Sequence, residues 1–514
     1  MPASSGPLGS AASASGGVLR TDRLPSIVIA IVVSRADSAS THIGEHLLAG
    51  AEWTAHDDPD RADGDGGGTY YRTDGFELRT FEAMHVDLAT PAAAFSTPEA
   101  IECLVFVSRH AGETGPLLTA HFTGNFGPAD YGGEPGSVAR AAPGVQKAVV
   151  AALETHAPEA YDVGIECTHH GPTGLSVPSL FVELGSDEAQ WEDPAGARAV
   201  AAAVLDLRGV DADHRVRSED PPRHVVGFGG GHYTPRCTRL VADSAWAVGH
   251  IGSDWQLEAM GEPAANREVI DAAFTASAAT LAVVDGDRPA LTSTIEDLGY
   301  RVVSETWLRT VGRRPLSVVA AAEATLSPVE SGLRFGEVSL AESDEIDAIE
   351  AAAAFADRWL VVELPDDLVA SAAGIDDEAT WNAVSESTVA FETTEGATLP
   401  AGRALVADAA AFDRLLDRLA ALLESRYETV ERRAAELVCR DTGFDPAKAA
   451  TLGVPEGPKF GRLAAGEAVS VDGRTIEPHA VESDRVERFQ IASPTPVEGR
   501  SIESDRCQTN GKHK

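Results

Sequence analysis

Short apolar runs recur through the first 310 residues, each breaking into a polar loop, with helix-like stretches between them. Ile27–Val33 is a continuous run of seven, the pattern of a strand buried on both faces. Glu102–Val107, Leu117–Phe122, Tyr161–Cys167 and Ser179–Gly185 repeat it, and a further short run ends in Gly229, Gly230 and Gly231. Ser40–Ala51, Ala142–Ala157 and the stretch near Ala195–Val210 are predicted helices. Strand and helix signals alternating in this way predict an α/β fold with a mixed central sheet and flanking helices.

Past Pro315 the pattern changes to Ala-rich helical spacing over 317–324 and 344–359. The longest amphipathic stretch is Leu405–Leu437, where Phe412, Leu415, Leu416, Leu419, Leu422, Leu423, Tyr427 and Val430 fall mostly three or four apart. The expected organisation is a flexible segment over 1–25, an α/β domain over 26–315, a mainly helical extension over 316–492, and a disordered tail over 493–514.

Charge modifies this picture in one respect. There are 80 acidic and 41 basic residues, a net charge of −39, and only five lysines. The acidic residues are interleaved with Ala and Val along the chain, which excludes a single acidic tail. Dispersed acid with little lysine fits a concentrated-salt cytoplasm, where self-repulsion is screened. It also weakens any argument from acidity against a nucleic-acid partner. The five cysteines are scattered without CxxC spacing, so neither a disulfide framework nor a Cys-rich zinc module is expected. No apolar run approaches the ~20 residues of a membrane span, and residues 1–26 do not read as a secretory signal. A cytoplasmic location is the expectation.

Candidate chemistry collects where the apolar runs end. Ser108-Arg109-His110, His121 with Asn125, Glu166 with His169, His170 and Thr173, His232 with Arg236, and His250 are five such ends in a chain of 15 histidines. One histidine at a strand end is ordinarily structural, but the recurrence points to a site. If the ends gather on one sheet edge, they offer imidazoles to zinc, which in a catalytic site needs about three protein ligands and an open position. Glu166 is then either a carboxylate that orients a histidine or a general base. The His169-His170 pair is not HExxH, so zincin geometry is not supported. Three successive glycines let backbone pass close to a ligand or turn sharply after a strand. The plain alternative for them is a Gly-rich hairpin.

Together, Ser108-Arg109-His110, Leu118–Asn125, Thr168–Thr173, Phe181–Ser186 with Trp191, and Gly229–Arg236 resemble the archaeal and plant type of D-aminoacyl-tRNA deacylase, in family order over about 26–309. The resemblance implies hydrolysis of the ester joining a D-amino acid to the tRNA 3′ end. It also implies a fold like that of nucleoside phosphorylases and peptidyl-tRNA hydrolases, and zinc at two ions per subunit. Carried onto this chain, it implies metal ligands among His110, His169, His170 and His232, and catalytic groups among His121, Glu166, His169, His170 and Thr173. Cys167 and Thr234 stand where a smaller residue is commoner.

For the acceptor end of the tRNA, Arg109 or Arg236 would hold a phosphate, Tyr233 or Phe122 would stack on the terminal adenine, and Asn125 would donate a hydrogen bond. A wall of Gly229, Gly230 and Gly231 would reject one enantiomer by clash, and glycyl esters would escape that filter. A zinc amidohydrolase or peptidase would use the same histidines on a small substrate, and a non-catalytic tRNA-binding protein would not need them. The segment Leu452–Leu463 holds Lys459 beside Arg462, and reads either as a contact to the acceptor end or as a tight turn with an aromatic plug.

Overall fold

The first apolar run becomes β1 (Val28–Ser34), buried at all seven positions because parallel strands flank it on both sides. The structure is a computed structural model that describes residues 28–217, 220–338 and 359–496. The segment expected to be flexible over 1–25 lies outside these, as do the helix expected over 344–359, except Trp359, and the tail beyond 496.

By its contacts the described chain falls into two compact units: 28–214, 226–238 and 248–279 form the first, and the remainder forms the second. In chain order the first contains β1, α1 (Ser38–Gly50), β2 (Thr54–Asp58), β3 (Gly68–Thr73), β4 (Phe76–Phe81), β5 (Ile101–Arg109) and β6 (Leu117–His121). The two-residue strands β7 (Gly124–Asn125) and β8 (Ser137–Val138) follow, then α2 (Pro143–His156), β9 (Asp162–Ile165), β10 (Ser179–Gly185), α3 (Glu188–Trp191) and α4 (Pro194–Leu205). Most of β11 (His224–Phe228) and β12 (Ala247–Gly252) also belongs to it.

Eight strands form one sheet in the order β2-β3-β4-β1-β5-β10-β6-β9. It is mixed, as expected: β4, β1, β5 and β10 run parallel, and β6 runs antiparallel to β10. Helices α1, α2 and α4 pack on one another and on the sheet. Local chemistry sets where they start. The Asp37 and Asp193 carboxylates accept backbone N–H groups of the first turns of α1 and α4, and Pro143 opens α2 with a φ already suited to a helix.

The second unit corrects the expectation of a mainly helical extension. Helices Leu316–Thr325, Asp366–Ala373, Asp377–Ser385 and Ala409–Leu423 are present, but so is a five-stranded sheet that includes Leu360–Glu363, Ala390–Thr394 and Leu399–Val406. A three-stranded sheet joins Thr429–Arg432, Glu436–Phe444 and Glu482–Gln490. Thr495 and Pro496, within the expected tail, pair with Val361 and Leu360. The strand signal is weak because ladder hydrogen bonds join backbones whatever the side chains. Glu482–Gln490 reads ESDRVERFQ, with only Phe489 buried, yet pairs along its whole length with Glu436–Phe444.

The segment Leu452–Leu463 carries an aromatic contact. Phe460 packs on Phe444 at 5.2 Å, Lys459 Nζ donates to the Ser470 carbonyl, and Arg462 pairs with Glu467. Among the described residues no helix is long and apolar enough to cross a membrane.

Candidate active site

Register across three adjacent strands builds the floor of the site. Ser108 of β5 is opposite Glu183 of β10, which is opposite Thr119 of β6, so all three side chains leave the sheet on one face. Two residues along, Phe106, Phe181 and His121 form a second row on that face. Because β6 runs against β10, His121 does not come from the same sheet edge as Arg109 and His110. The site therefore lies over the sheet face rather than along one edge, which corrects the expected arrangement.

Two buried carboxylates organise this face. Glu183 accepts from Ser108 Oγ at 2.7 Å and lies 3.6 Å from His110 Nδ1 and 3.5 Å from His121 Nε2. Glu166 accepts from Thr119, lies 3.2 Å from His110 Nδ1, and accepts from His232 Nε2 at 2.7 Å. Burial alone would favour their neutral forms, but these donors outweigh it and hold both carboxyls well below the ordinary glutamate range. The reciprocal effect falls on the cations. Burial lowers His110, but its bonds to Glu166 and Glu183 lift it to about 9. Burial likewise opposes His232, which Cys167 and Glu166 raise to about 10. His110 Nε2 lies 3.2 Å from the Tyr233 hydroxyl, so His110 links Tyr233 to Glu166 and Glu183, and with those two carboxylates it forms a group of potential ligand atoms.

Beside these lies a knot of three further imidazoles. The rings of His121 and His169 are 4.1 Å apart, His169 and His170 4.5 Å, and His121 and His170 4.8 Å. In each, Nδ1 faces a main-chain carbonyl: Phe122 O for His121, Cys167 O for His169, Gly171 O for His170. A carbonyl only accepts, so each Nδ1 carries a proton, and in the neutral ring each Nε2 keeps its lone pair. The candidate ligand atoms of the three lie within 4.8 Å of one another. His121 Nε2 is buried without a hydrogen-bond partner. Burial, with His121 nearby, pushes His170 down to about 4 and holds His169 well below the ordinary imidazole range. His121 moves the other way, burial being outweighed by Glu183. Cys167, His169 and His232 form a further group of potential ligand atoms, also within 4.8 Å.

Several expected residues play a supporting part. Phe122 is 2% exposed and lies edge-on to His250, so it cannot stack on a substrate. Asn125 donates to the carbonyls of Gly132 and Glu134, while Thr173 Oγ1 accepts the Glu134 N–H, so both pin the 132–134 loop. His250 has both ring nitrogens engaged, by Thr168 Oγ1 and the Ala139 carbonyl, and stands apart from the imidazole knot. Arg109 lies over the Trp191 ring, and the Trp191 indole N–H donates to His110 O. Arg236 is half-buried in the first turn of the helix Pro235–Asp243.

The glycines are used as expected in one respect: Gly229 and Gly230 have φ of 93° and 84°, and Gly231 is exposed. Tyr233 is 36% exposed, and Trp255 and Tyr131, which were not expected, are 50% and 76% exposed. Glu183 and Thr119 were also missing from the expected site. A charged residue inside the otherwise apolar run Ser179–Gly185 was the available signal for Glu183.

Residues 97–303 match the family model described as D-aminoacyl-tRNA deacylase. A D-aminoacyl-tRNA deacylase of Halorubrum lacusprofundi is 55% identical, the alignment covering 91% of this chain and 98% of that protein. That of Haloarcula marismortui is 47% identical over 90% of this chain and 100% of its own. Among solved structures, a conserved protein of unknown function is 27% identical with a TM-score of 0.48, covering 56% of this chain and 98% of that one.

Proposed function

The chain belongs to the D-aminoacyl-tRNA deacylase family, and from that premise we propose that it hydrolyses the ester of D-aminoacyl-tRNA to free D-amino acid and tRNA, in the cytoplasm and with zinc. The observation that carries the zinc reading is the convergence of three Nε2 atoms, one of them buried without a partner. His121, His169 and His170 would hold an ion. His169 also belongs to the group with Cys167 and His232, so only one of these two groups is complete at a time. Zinc held there would supply Lewis-acid chemistry for the ester carbonyl.

The chain's own residues do the rest. Glu166 is saturated with donors and held ionised, so its role is to fix the rings of His110 and His232 rather than to take a proton. Tyr233 presents its hydroxyl at the mouth, backed by the cationic His110, and donates to the oxyanion that develops as the ester is attacked. The backbone of Gly229–Gly231 forms the wall that reads the α-carbon, refusing an L side chain by clash. Tyr233, Trp255 and Tyr131 offer exposed ring faces for the unpaired bases of the acceptor end. Base stacking suits a chain of charge −39, for which phosphate attraction is a poor source of affinity.

The test is hydrolysis of D-Tyr-tRNA against L-Tyr-tRNA in molar KCl, before and after chelation. Turnover of the D-ester alone, lost on chelation and restored by zinc, is the expected result. D-only turnover that survives chelation keeps the activity and removes zinc from the reaction. Turnover of neither ester, with hydrolysis of small D-aminoacyl amides, would replace this reading by an amidohydrolase.

A further inference from the structure

One group of potential ligand atoms includes a cysteine, Cys167. Cys167 is fully buried and follows Glu166 in the chain, and its Sγ lies 3.4 Å from His232 Nδ1. Three features fix what surrounds that sulfur. The Cys167 N–H donates to the His232 carbonyl at 2.8 Å, which locks the two loops together. The far nitrogen of His232, Nε2, donates to Glu166 at 2.7 Å, so Nδ1 is the nitrogen turned to the sulfur. His169 gives its Nδ1 proton to the Cys167 carbonyl at 2.8 Å, which leaves its Nε2 lone pair available. Sγ and the nearest nitrogens of His169 and His232 lie within 4.8 Å of one another.

Resting on the zinc reading, we propose that Cys167 gives the metal centre a thiolate, with Cys167 Sγ, His232 Nδ1 and His169 Nε2 as one ligand set and a fourth position left open. Sulfur with two imidazoles is a donor set that zinc and cobalt accept in tetrahedral geometry. Glu166 then stands behind His232 as the carboxylate that sets its tautomer. Burial argues against the other roles of a cysteine: a nucleophile or a redox sensor needs access that a fully covered side chain lacks, whereas a ligand does not. Binding displaces to solvent the one proton held in the Sγ–Nδ1 contact, leaving a thiolate and an imidazole lone pair for the ion. His169 Nε2 holds one ion at a time. Filling this set therefore leaves His121 and His170 as a pair, with Glu183 3.5 Å from His121 Nε2.

The test is optical titration of the full-length, chelator-stripped protein with Co²⁺. The expected spectrum has visible d–d bands and a near-ultraviolet sulfur-to-cobalt charge-transfer band. Cys167→Ser loses the charge-transfer band, keeps visible bands, and binds zinc at least about 10-fold more weakly. The unmutated protein is decisive even if the variant folds poorly: visible bands without charge transfer overturn the thiolate and leave the metal reading standing. A charge-transfer band that persists in Cys167→Ser belongs to another cysteine and also overturns it. If no cobalt bands form, both the ligand assignment and the zinc reading fall. Deacylation of D-Tyr-tRNA by the same preparation reports on the activity separately.

Discussion

Glu183 shows how a single residue commits a sheet face to chemistry. It sits in β10 with every neighbour in that strand buried, a place where an unpaired charge would cost several kcal/mol. Ser108, His110 and His121 supply the donors that make it tolerable, and it in turn holds His110 cationic. Glu183→Gln should keep the fold, lower D-aminoacyl-tRNA hydrolysis by about 10²-fold or more in single-turnover assays, and weaken metal binding about 10- to 100-fold. Wild-type turnover in that variant would remove Glu183 from the site. Gly230 makes a different demand, on backbone alone: at φ 84° a side chain adds about 1–2 kcal/mol of strain. Gly230→Ala should lower the unfolding midpoint and disturb discrimination between D- and L-Tyr-tRNA. Unchanged stability and chirality would show that the turn does not shape the wall.

Among elements, the helix Ala409–Leu423 is the clearest case of a pattern realised in part. Its apolar face, Phe412, Leu415, Leu416, Leu419 and Leu423, is buried against Val362, Phe391 and Ala404. The same spacing continues to Tyr427 and Val430, but the helix ends at Leu423 and those residues reach the same core from a turn and a strand. Leu415→Ala should cost about 2–5 kcal/mol, read by chemical denaturation, because the cavity lies where packing is complete.

Glu323 ties elements of the second unit together, accepting from Arg301, Trp307 Nε1 and the Val329 N–H. Burial raises its carboxyl, but those donors win and hold it below the ordinary glutamate range. A carboxyl depressed in the folded state stabilises the fold above its unfolded pKa, and that contribution is lost as pH falls through the lower, folded value. Glu323→Gln should therefore cost on the order of 1 kcal/mol at neutral pH, after solvent screening of the half-exposed Arg301, with the difference closing in acid. A constant difference across pH would exclude the ionised pair as its source.

At the scale of the whole molecule, the net charge of −39 governs how stability responds to salt. Mutual repulsion of carboxylates destabilises a compact chain and is screened by salt, the Debye length falling to ~3 Å at 1 M. The thermal midpoint should rise steeply with KCl and level off at high concentration. A midpoint indifferent to salt would mean that local ion pairs, such as Arg432 with Asp413 and Asp417, already neutralise the field.

The sequence by itself determined β1, β5, β6, β9 and β10 of the first sheet, because an apolar run marks a buried strand, but not β2, β3 and β4, of which β2 and β3 are half-buried or exposed along their length. Ser179–Gly185 was legible to the residue, and the described part of Ile27–Val33, from Val28, lies in β1, which runs on to Ser34. It also located the histidines that the fold gathers, since His110, His121, His169, His170 and His232 all stand where such runs stop. Only the tertiary structure decided how they divide. Strand direction turned β6 against β10, and hydrogen bonds then sorted the histidines into cations held by Glu166 and Glu183 and rings oriented by main-chain carbonyls. The strands of the second unit were likewise out of reach, as were the inward role of Phe122 and the sulfur contact of Cys167. Periodicity records which side of an element is buried; it carries no information on what that side meets, and pairing between polar strands leaves no trace in hydrophobicity at all.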